Sequence, residues 1–368
     1  MKNKEKIVVH IIPSLRRGGA ERFVVDLCNE LASGNQFKIH LVSLEDNDFS
    51  TTFLSEISGL VEYKSFNKKP GLDLGTVYKL SNWLRKLNPD VIHTHTSAFE
   101  YLALYRVLNS KKLYWHTIHN SAKEECPNTF LKHYRRHYYK NNVTPIAISK
   151  DGSDTYREYY KLNNCVLITN GRPTLKPSSN TIKLKEKYIS PLTYLLVNIG
   201  RITPQKNQKL LIESIQYYNK ISIKKCKLLI IGGIRDSQLN QELEFLCRAD
   251  PNIYFLGEQE NTIDYLAVAD ALCITSTFEG MPISLIEAFS VGCIPISTRA
   301  GGVSEMIQDS YNGFLSEDMS LLSYVKAIDL CLKYTDKAKI RKNGVDSYFQ
   351  KYHISIAAKS YAEQYLNY

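Results

Sequence analysis

Short runs of consecutive apolar residues alternate along the whole chain with segments whose apolar positions recur every three or four residues. In the first half the strand-like runs are Ile7–Ile12, Phe37–Leu44, Val91–His95, Leu113–His119, Pro145–Ser149 and Cys165–Thr169. Between the first two, Val24, Leu27, Cys28 and Leu31 fall at i, i+3, i+4 and i+7, one face of a helix. The pattern restarts after NGRPTLKPSSN, residues 170–180, whose prolines, serines and asparagines read as a linker. Beyond it Tyr194–Ile199, Lys227–Ile231, Ile253–Leu256, Ala271–Thr275 and Ile294–Thr298 are the next strand candidates. Strands apolar on both faces, alternating with helices, require parallel sheets covered on both sides. The expected fold class is α/β: two Rossmann-like, doubly wound parallel-sheet domains facing a cleft. Ligands of such sheets bind beyond the C-terminal strand ends, close to helix N-termini.

Composition agrees with two domains. The chain has 368 residues, and 43% hydrophobic with 23% charged is enough to bury two ordinary cores. No apolar run approaches the roughly 18–20 residues that span a bilayer. The N-terminus has the basic start of a secretion signal, but its apolar stretch, Ile7 to Ile12, runs straight into Pro13 and two arginines. A buried first strand fits better, and the expected location is the cytoplasm. Eight cysteines lie scattered with no CxxC pair, so they read as reduced packing thiols and not as a disulfide framework or zinc site. The formal charge of +10 is concentrated in the first half. That excess favours nucleic acid, a phosphorylated substrate or an acidic membrane face, and charge alone does not choose among them.

The candidate chemistry gathers at strand ends. In FEGMPISLIEAFSVG, residues 278–292, a strand ends at Ser276 and Pro282 can take the first helical position, where its missing N–H costs nothing. The amides of Ile283 and Ser284 then face outward at the positive end of a helix, a seat for phosphate. Glu279 ahead of that start and Glu287 on the second turn can each accept several hydroxyl hydrogen bonds. The plainer alternative has Glu279 capping the helix and Glu287 solvated. In VNIGRITPQKN a strand ends at Gly200, and Arg201 and Lys206 flank a turn at Pro204. Two cations there can clamp a diphosphate, or they can be ordinary basic loop residues.

Three further segments carry weaker signals. IIPSLRRGGAERF passes through Gly18-Gly19 into a helix, and IIGGIRD contains Gly232-Gly233; neither is a GxGxxG fingerprint. His93 and His95, then His116 and His119, crowd two strand ends. An HxH pair invites a metal, but no carboxylate or thiol at suitable spacing completes a ligand set, leaving satisfied strand-end histidines or contact of His119 with substrate. FLKHYRRHYYKNN, residues 130–142, mixes cations and tyrosines, as a lipid-facing or base-stacking helix would, or an amphipathic packing helix with a wet basic face.

Together these residues resemble the retaining family 4 glycosyltransferases of GT-B architecture. ADALCITSTFEGMPISLIEAFSVGCIPISTRAGGVSEMI contains that family's paired glutamates, and GRITPQKN, the GGAE turn, DVIHTH and the later HN follow its order. The resemblance implies an acceptor domain over residues 1–172, a nucleotide-sugar domain over 173–350, and a C-terminal helix over 351–368 crossing back to the first. It implies that Arg201 and Lys206 hold the donor diphosphate, Glu287 the nucleotide ribose and Glu279 the donor sugar. His119 would stand by the reacting sugar and Gly19 in the turn close to the donor. Gly280, Met281, Pro282, Ile283 and Ser284 would line the phosphates. Glu279, His119, Arg201 and Lys206 are the expected catalytic set, with no metal, and a front-face route through an ion-pair-like state is expected because no residue suggests itself as a covalent nucleophile.

The expected donor is a UDP-sugar and the expected acceptor a glycan or polyprenyl-linked glycan of a cell-surface polysaccharide such as capsule, O-antigen or exopolysaccharide. Peripheral contact with an anionic membrane is expected, and nucleic acid is not. This sequence departs from the common pattern in GMPISLI between the glutamates, in IGGIRD, which lacks a third glycine, and in THN, where an aspartate often follows the histidine. The competing classes are a nicotinamide-dependent oxidoreductase, a sugar-binding transport module, and an epimerase or phosphorylase on the same fold.

Overall fold

The computed structural model describes residues 5–45, 52–248 and 250–367. The basic start weighed above as part of a secretion signal, residues 1–4, lies outside the described residues. The chain divides into two compact units, one running to Pro173 and taking in His353–Tyr368, the other Thr174–Tyr352.

The first unit holds a seven-stranded sheet. Its strands are β1 (Lys6–Ile12), β2 (Phe37–Ser43), β3 (Glu62–Ser65), β4 (Val91–His95), β5 (Tyr114–Ile118), β6 (Val143–Ala147) and β7 (Val166–Leu167). They lie in the order β3-β2-β1-β4-β5-β6-β7, and every pairing is parallel. Val8, Val9, Ile11 and Ile12 of β1 are all fully buried, so both faces of the strand are covered. The helix Gly19–Ser33 buries Val24, Leu27, Cys28 and Leu31, the face its periodicity marks. The last helix, Ile354–Leu366, packs against it and buries Tyr361 and Tyr365 completely.

The second unit holds six parallel strands: β8 (Thr193–Ile199), β9 (Lys225–Ile231), β10 (Ile253–Gly257), β11 (Ala271–Ile274), β12 (Ile294–Ser297) and β13 (Phe314–Leu315). Their order is β10-β9-β8-β11-β12-β13. Leu196, Leu228, Ile230, Cys273 and Ile296 from five neighbouring positions of this sheet join Leu211, Ile215 and Ile328 from its helices in one core.

Two strands escape the apolar-run reading. β3, Glu-Tyr-Lys-Ser, is a polar edge strand, and β13 is only a pair of residues. In both sheets the winding direction reverses beside the first strand, between β1 and β4 and between β8 and β11. Those two reversals are where the crossover helices part and leave a crevice at the C-terminal strand ends. Every cysteine is a free thiol, and all but Cys165 are buried. Among the described residues no helix is long and apolar enough to cross a membrane.

Candidate functional site

At the reversal in the second unit, β8 ends at Ile199 and delivers Gly200 and Arg201, while β11 delivers Ser276 and Glu279. Residues Pro204–Lys206 make one tight helical turn, and Asn207 adopts a left-handed conformation (φ 47°) before the helix Gln208–Ile221. The turn is tied to the neighbouring loop. Thr277 N donates to Gln205 O at 2.8 Å, Gln205 Nε2 to Phe278 O at 2.7 Å, and Thr275 Oγ1 to Asn207 O at 3.0 Å. That bracing carries the Lys206 ammonium to Glu279, with Nζ 2.5 Å from Oε1, and Ser276 Oγ donates to the same oxygen at 2.5 Å. Glu279 is 7% exposed. Both protein bonds fall on Oε1, so Oε2 has no partner among the described residues and is available to a ligand hydroxyl.

Backbone contacts explain two glycines nearby. A Cβ on Gly232, whose φ is +151°, would meet Gly200 O at 2.0 Å, so the ends of β8 and β9 close together only with glycine there. A Cβ on Gly301 (φ +54°) would meet Glu279 O at 2.5 Å, and the next amide, Gly302 N, donates to that same carbonyl at 2.9 Å. Gly232 stands in a segment that reads as a weak glycine turn, and Gly301 carries no sequence signal beyond the AGG that follows β12.

The helix start differs from its expectation in one respect. The helix is Ile283–Ser290, and Pro282, with ψ 126°, is its extended N-cap and not its first helical residue. The proline carbonyl accepts from Leu285 N at 3.1 Å and Ile286 N at 3.4 Å, so the Ile283 and Ser284 amides lie ahead of the first helical bond. Glu279 makes no cap bond to this helix, because its carboxylate is turned to Lys206 and Ser276. Glu287 is not a solvated face residue: it is 6% exposed and accepts from Thr262 Oγ1 at 3.2 Å. Gly280, Met281, Pro282 and Ile283 are buried and Ser284 is half-buried. Arg201 is exposed and, among the described residues, has neither an ion pair nor a side-chain hydrogen bond. The structure therefore joins Lys206 to Glu279 and leaves Arg201 free beside them.

At the reversal in the first unit the residues are imidazoles. His10 of β1 pairs in register with His93 of β4, and His95 follows two positions later on the same face. The three rings stack, with centroids 4.5 Å apart for His93 and His95 and 5.0 Å for His10 and His93. His119 stands one residue past β5, half-buried, its ring edge-on to Phe23 of the helix Gly19–Ser33. Its backbone N donates to Glu125 Oε2 at 2.8 Å, and its Nε2 lies 3.1 Å from His95 Nδ1. Gly19 opens that helix and is exposed. Burial pushes His10 down to about 3 and His119 to about 4, and holds His93 and His95 well below the usual histidine range. All four are neutral at physiological pH.

His10, which sequence spacing does not single out, turns the HxH pair into a trio in which one ring nitrogen from each residue lies within 4.8 Å of the other two. Every ring nitrogen of that trio already has a hydrogen-bond partner. His116 is held apart from it by Thr94 and Glu125. In the helix Thr129–Asn141, Arg135 is buried against Glu100 and Glu125, so it does not belong to the wet basic face expected of that segment. Phe130, His133, His137 and Lys140 are the exposed positions of that face.

Two parallel α/β units, with a lysine–glutamate pair and a glutamate-bearing helix start at the strand ends of the second, define a glycosyltransferase of GT-B architecture. The sequence model described as Glycosyltransferase Family 4 matches residues 17–174, and that described as Glycosyl transferases group 1 matches residues 181–345. The chain belongs to the family 4 glycosyltransferases, which sets aside the oxidoreductase, transport-module, epimerase and phosphorylase readings. It is 25% identical over 319 residues, 81% of either chain, to the UDP-Gal:alpha-D-GlcNAc-diphosphoundecaprenol alpha-1,3-galactosyltransferase of Escherichia coli. It is 24% identical over 359 residues, 88% of either chain, to the GalNAc-alpha-(1->4)-GalNAc-alpha-(1->3)-diNAcBac-PP-undecaprenol alpha-1,4-N-acetyl-D-galactosaminyltransferase of Campylobacter jejuni. The fold matches that of Anabaena Alr3699/HepE, solved in complex with UDP and glucose, at a TM-score of 0.84 and 19% identity, over 99% of this chain and 100% of that one.

Proposed function

We propose that this glycosyltransferase takes its sugar from a UDP-sugar held by the second unit and passes it, with retention of configuration, to a glycan on a polyprenyl carrier during synthesis of a cell-surface polysaccharide. The observation that carries the reading is Lys206 bonded to Glu279 at 2.5 Å, just ahead of a helix whose second turn carries the buried Glu287. The names of the E. coli and C. jejuni relatives specify undecaprenol-linked acceptors, the former also a UDP-sugar, and the Anabaena structure holds UDP.

The chemistry is a problem of charge. Breaking the bond between the anomeric carbon and the phosphate oxygen leaves a nucleoside diphosphate that gains negative charge as the sugar gains positive character. Arg201, Lys206 and the Ile283 and Ser284 amides at the positive helix end, in the Gly280–Ser284 segment, take up the first. Glu279 fixes the ammonium in place, accepts a sugar hydroxyl through Oε2, and stabilises the second. Glu287 accepts from the ribose hydroxyls, while Gly19 and His119 belong to the sugar end. Cations built into the protein take the place of a divalent metal in this reading, so EDTA leaves the rate unchanged.

The first unit supplies the acceptor side and the contact with an anionic membrane from the cytoplasmic face. Its helix Thr129–Asn141 presents Phe130, 77% exposed, with His133, His137 and Lys140 along one side. A thermal-shift screen against UDP-, GDP- and ADP-sugars tests the donor: UDP-sugars raise the melting temperature and the others do not. Equal response to all three, or none at saturation, overturns it.

A further inference from the structure

The pairing of β5 stops one residue before His119. Thr117 is its last residue in register with β4, and Ile118 its last in register with β6. The backbone of His119 is therefore placed by something other than a strand neighbour, and that is a side chain. Glu125, six residues on, ends the short helix Ala122–Glu125 and turns its carboxylate back, so that Oε2 accepts the His119 N–H at 2.8 Å. A carboxylate makes a stronger bond to an amide than a neutral carbonyl does. The loop from His119 to Glu125 is thus closed into a ring, and Ser121 caps the helix inside it by accepting from Glu124 N at 3.3 Å.

The carboxylate is itself held from the other side. Oε1 lies 3.1 Å from His116 Nε2 and 3.4 Å from Arg135 Nη1, and the Glu125 side chain is only 7% exposed. With both oxygens bonded in so confined a place, it has little freedom to rotate. Charge balance does not account for it. Arg135 already has a bidentate counter-ion in Glu100, with Nε 2.7 Å from Oε1 and Nη2 3.1 Å from Oε2. Burial holds His116 below the ordinary histidine range, so it adds no second cation. A second buried carboxylate beside one guanidinium is expensive unless its bonds do something else. The bond left to explain it is the one to the His119 amide.

We propose that Glu125 is a positioning residue for the transfer: acting through the His119 backbone amide, it sets where the His119 imidazole stands. At the ring end His119 meets His95 Nδ1, 3.1 Å from its Nε2, and the edge of Phe23. Those contacts direct the ring, while the amide decides where the residue begins. The functional part rests on the reading of His119 as a residue of the sugar end; the contact of Glu125 with the amide does not.

Two substitutions separate positioning from charge balance. Glu125→Gln keeps a carbonyl oxygen at the His119 amide, turns its own amide nitrogen to His116 Nε2, and removes the charge beside Arg135. Glu125→Asp keeps the charge and draws the carboxylate back from the amide by one methylene. Hydrogen exchange of the histidine amides, followed by NMR on the full chain with labelled histidine and assigned with His119→Ala, needs no substrate. In the wild type the His119 amide exchanges about a hundredfold or more slower than an unstructured one. Glu125→Gln keeps that protection and Glu125→Asp loses most of it. Free exchange in the wild type overturns the proposal whether or not any variant folds. Activity is read as UDP released, with water as acceptor, from the UDP-sugar that the thermal-shift screen selects. Glu125→Asp lowers this kcat about tenfold, the scale of one displaced hydrogen bond at the transition state. Glu125→Gln recovers most of that loss, although its melting temperature falls further. Rates that follow the melting temperatures, with Glu125→Asp the faster, reduce Glu125 to charge balance and overturn the positioning claim. In a His119→Ala background Glu125→Asp lowers kcat by no more than about twofold, whereas a second tenfold loss means that Glu125 acts elsewhere and also overturns it. If His119→Ala alone leaves kcat unchanged, the placement of His119 at the sugar fails and takes the positioning claim with it, while a protected amide still upholds the contact.

Discussion

The two units share one strand order, the first with a seventh strand added at its edge, and put opposite chemistry at the same topological place. At the β1/β4 reversal the groups are neutral, stacked and fully buried; at β8/β11 they are an ammonium and a carboxylate, with the Lys206 side chain 21% exposed. Desolvation sets the first arrangement. Imidazoles stacked 4.5 Å apart inside a sheet cannot afford even one positive charge, so they stay neutral and hydrogen-bonded to one another. Geometry sets the second: a partner at 2.5 Å holds the Lys206 ammonium in place, where charge must be met as it forms. One strand-end cluster is neutral and hydrogen-bonded, the other charged.

Acid separates them most strongly. Six histidines in the first unit, His10, His40, His93, His95, His116 and His119, have folded pKa values lowered by burial from the ordinary 6.5, His119 to about 4 and His10 to about 3. As pH falls through 6.5 the unfolded chain takes up protons that the folded unit refuses. Stability is thus fully present above about 6.5 and is lost on the way down, by about 1.4 kcal/mol per pH unit for each such histidine. Trp83 and Trp115, the only two tryptophans, both lie in the first unit, so tryptophan fluorescence reports that unit alone. Its denaturation midpoint drops steeply between pH 6.5 and 5, and a flat profile breaks the contrast.

Removing the charge from the second site comes next. Lys206→Ala lowers kcat by about a hundredfold or more, the scale of losing one preorganised electrostatic contact, with little change in melting temperature. A rate within a fewfold of wild type removes Lys206 from the reaction. The smallest effect belongs to Glu287→Gln, which keeps the shape and weakens bonds made equally in ground and transition states. It raises the donor KM by roughly tenfold or less and holds kcat; a fall in kcat instead moves Glu287 into the chemistry.

Much of this was legible in the residues. Continuous apolar runs mark eleven of the strands, because parallel strands covered on both faces have no polar side to hide them. β3 and β13 were not, one polar and at an edge, the other two residues long. Glu279 and Lys206 could be picked out individually, yet their bond depends on Gln205, Ser276 and Gly301 bracing two loops that are far apart in sequence. Pro282 was misplaced by one position because its fixed φ suits both an N-cap and a first helical residue; ψ decides, and ψ is not in the sequence. The imidazole cluster was hidden for a different reason. His10 and Tyr365 meet only when the last helix returns, and no spacing along the chain announces that.

That return has a consequence for synthesis. Tyr361 and Tyr365 complete the interior of the first unit, yet the ribosome makes them only after all of Thr174–Tyr352. The opening half therefore emerges with a vacant slot along the helix Gly19–Ser33 and three imidazoles still open to water. It must wait, partly assembled, until the tail arrives to close it.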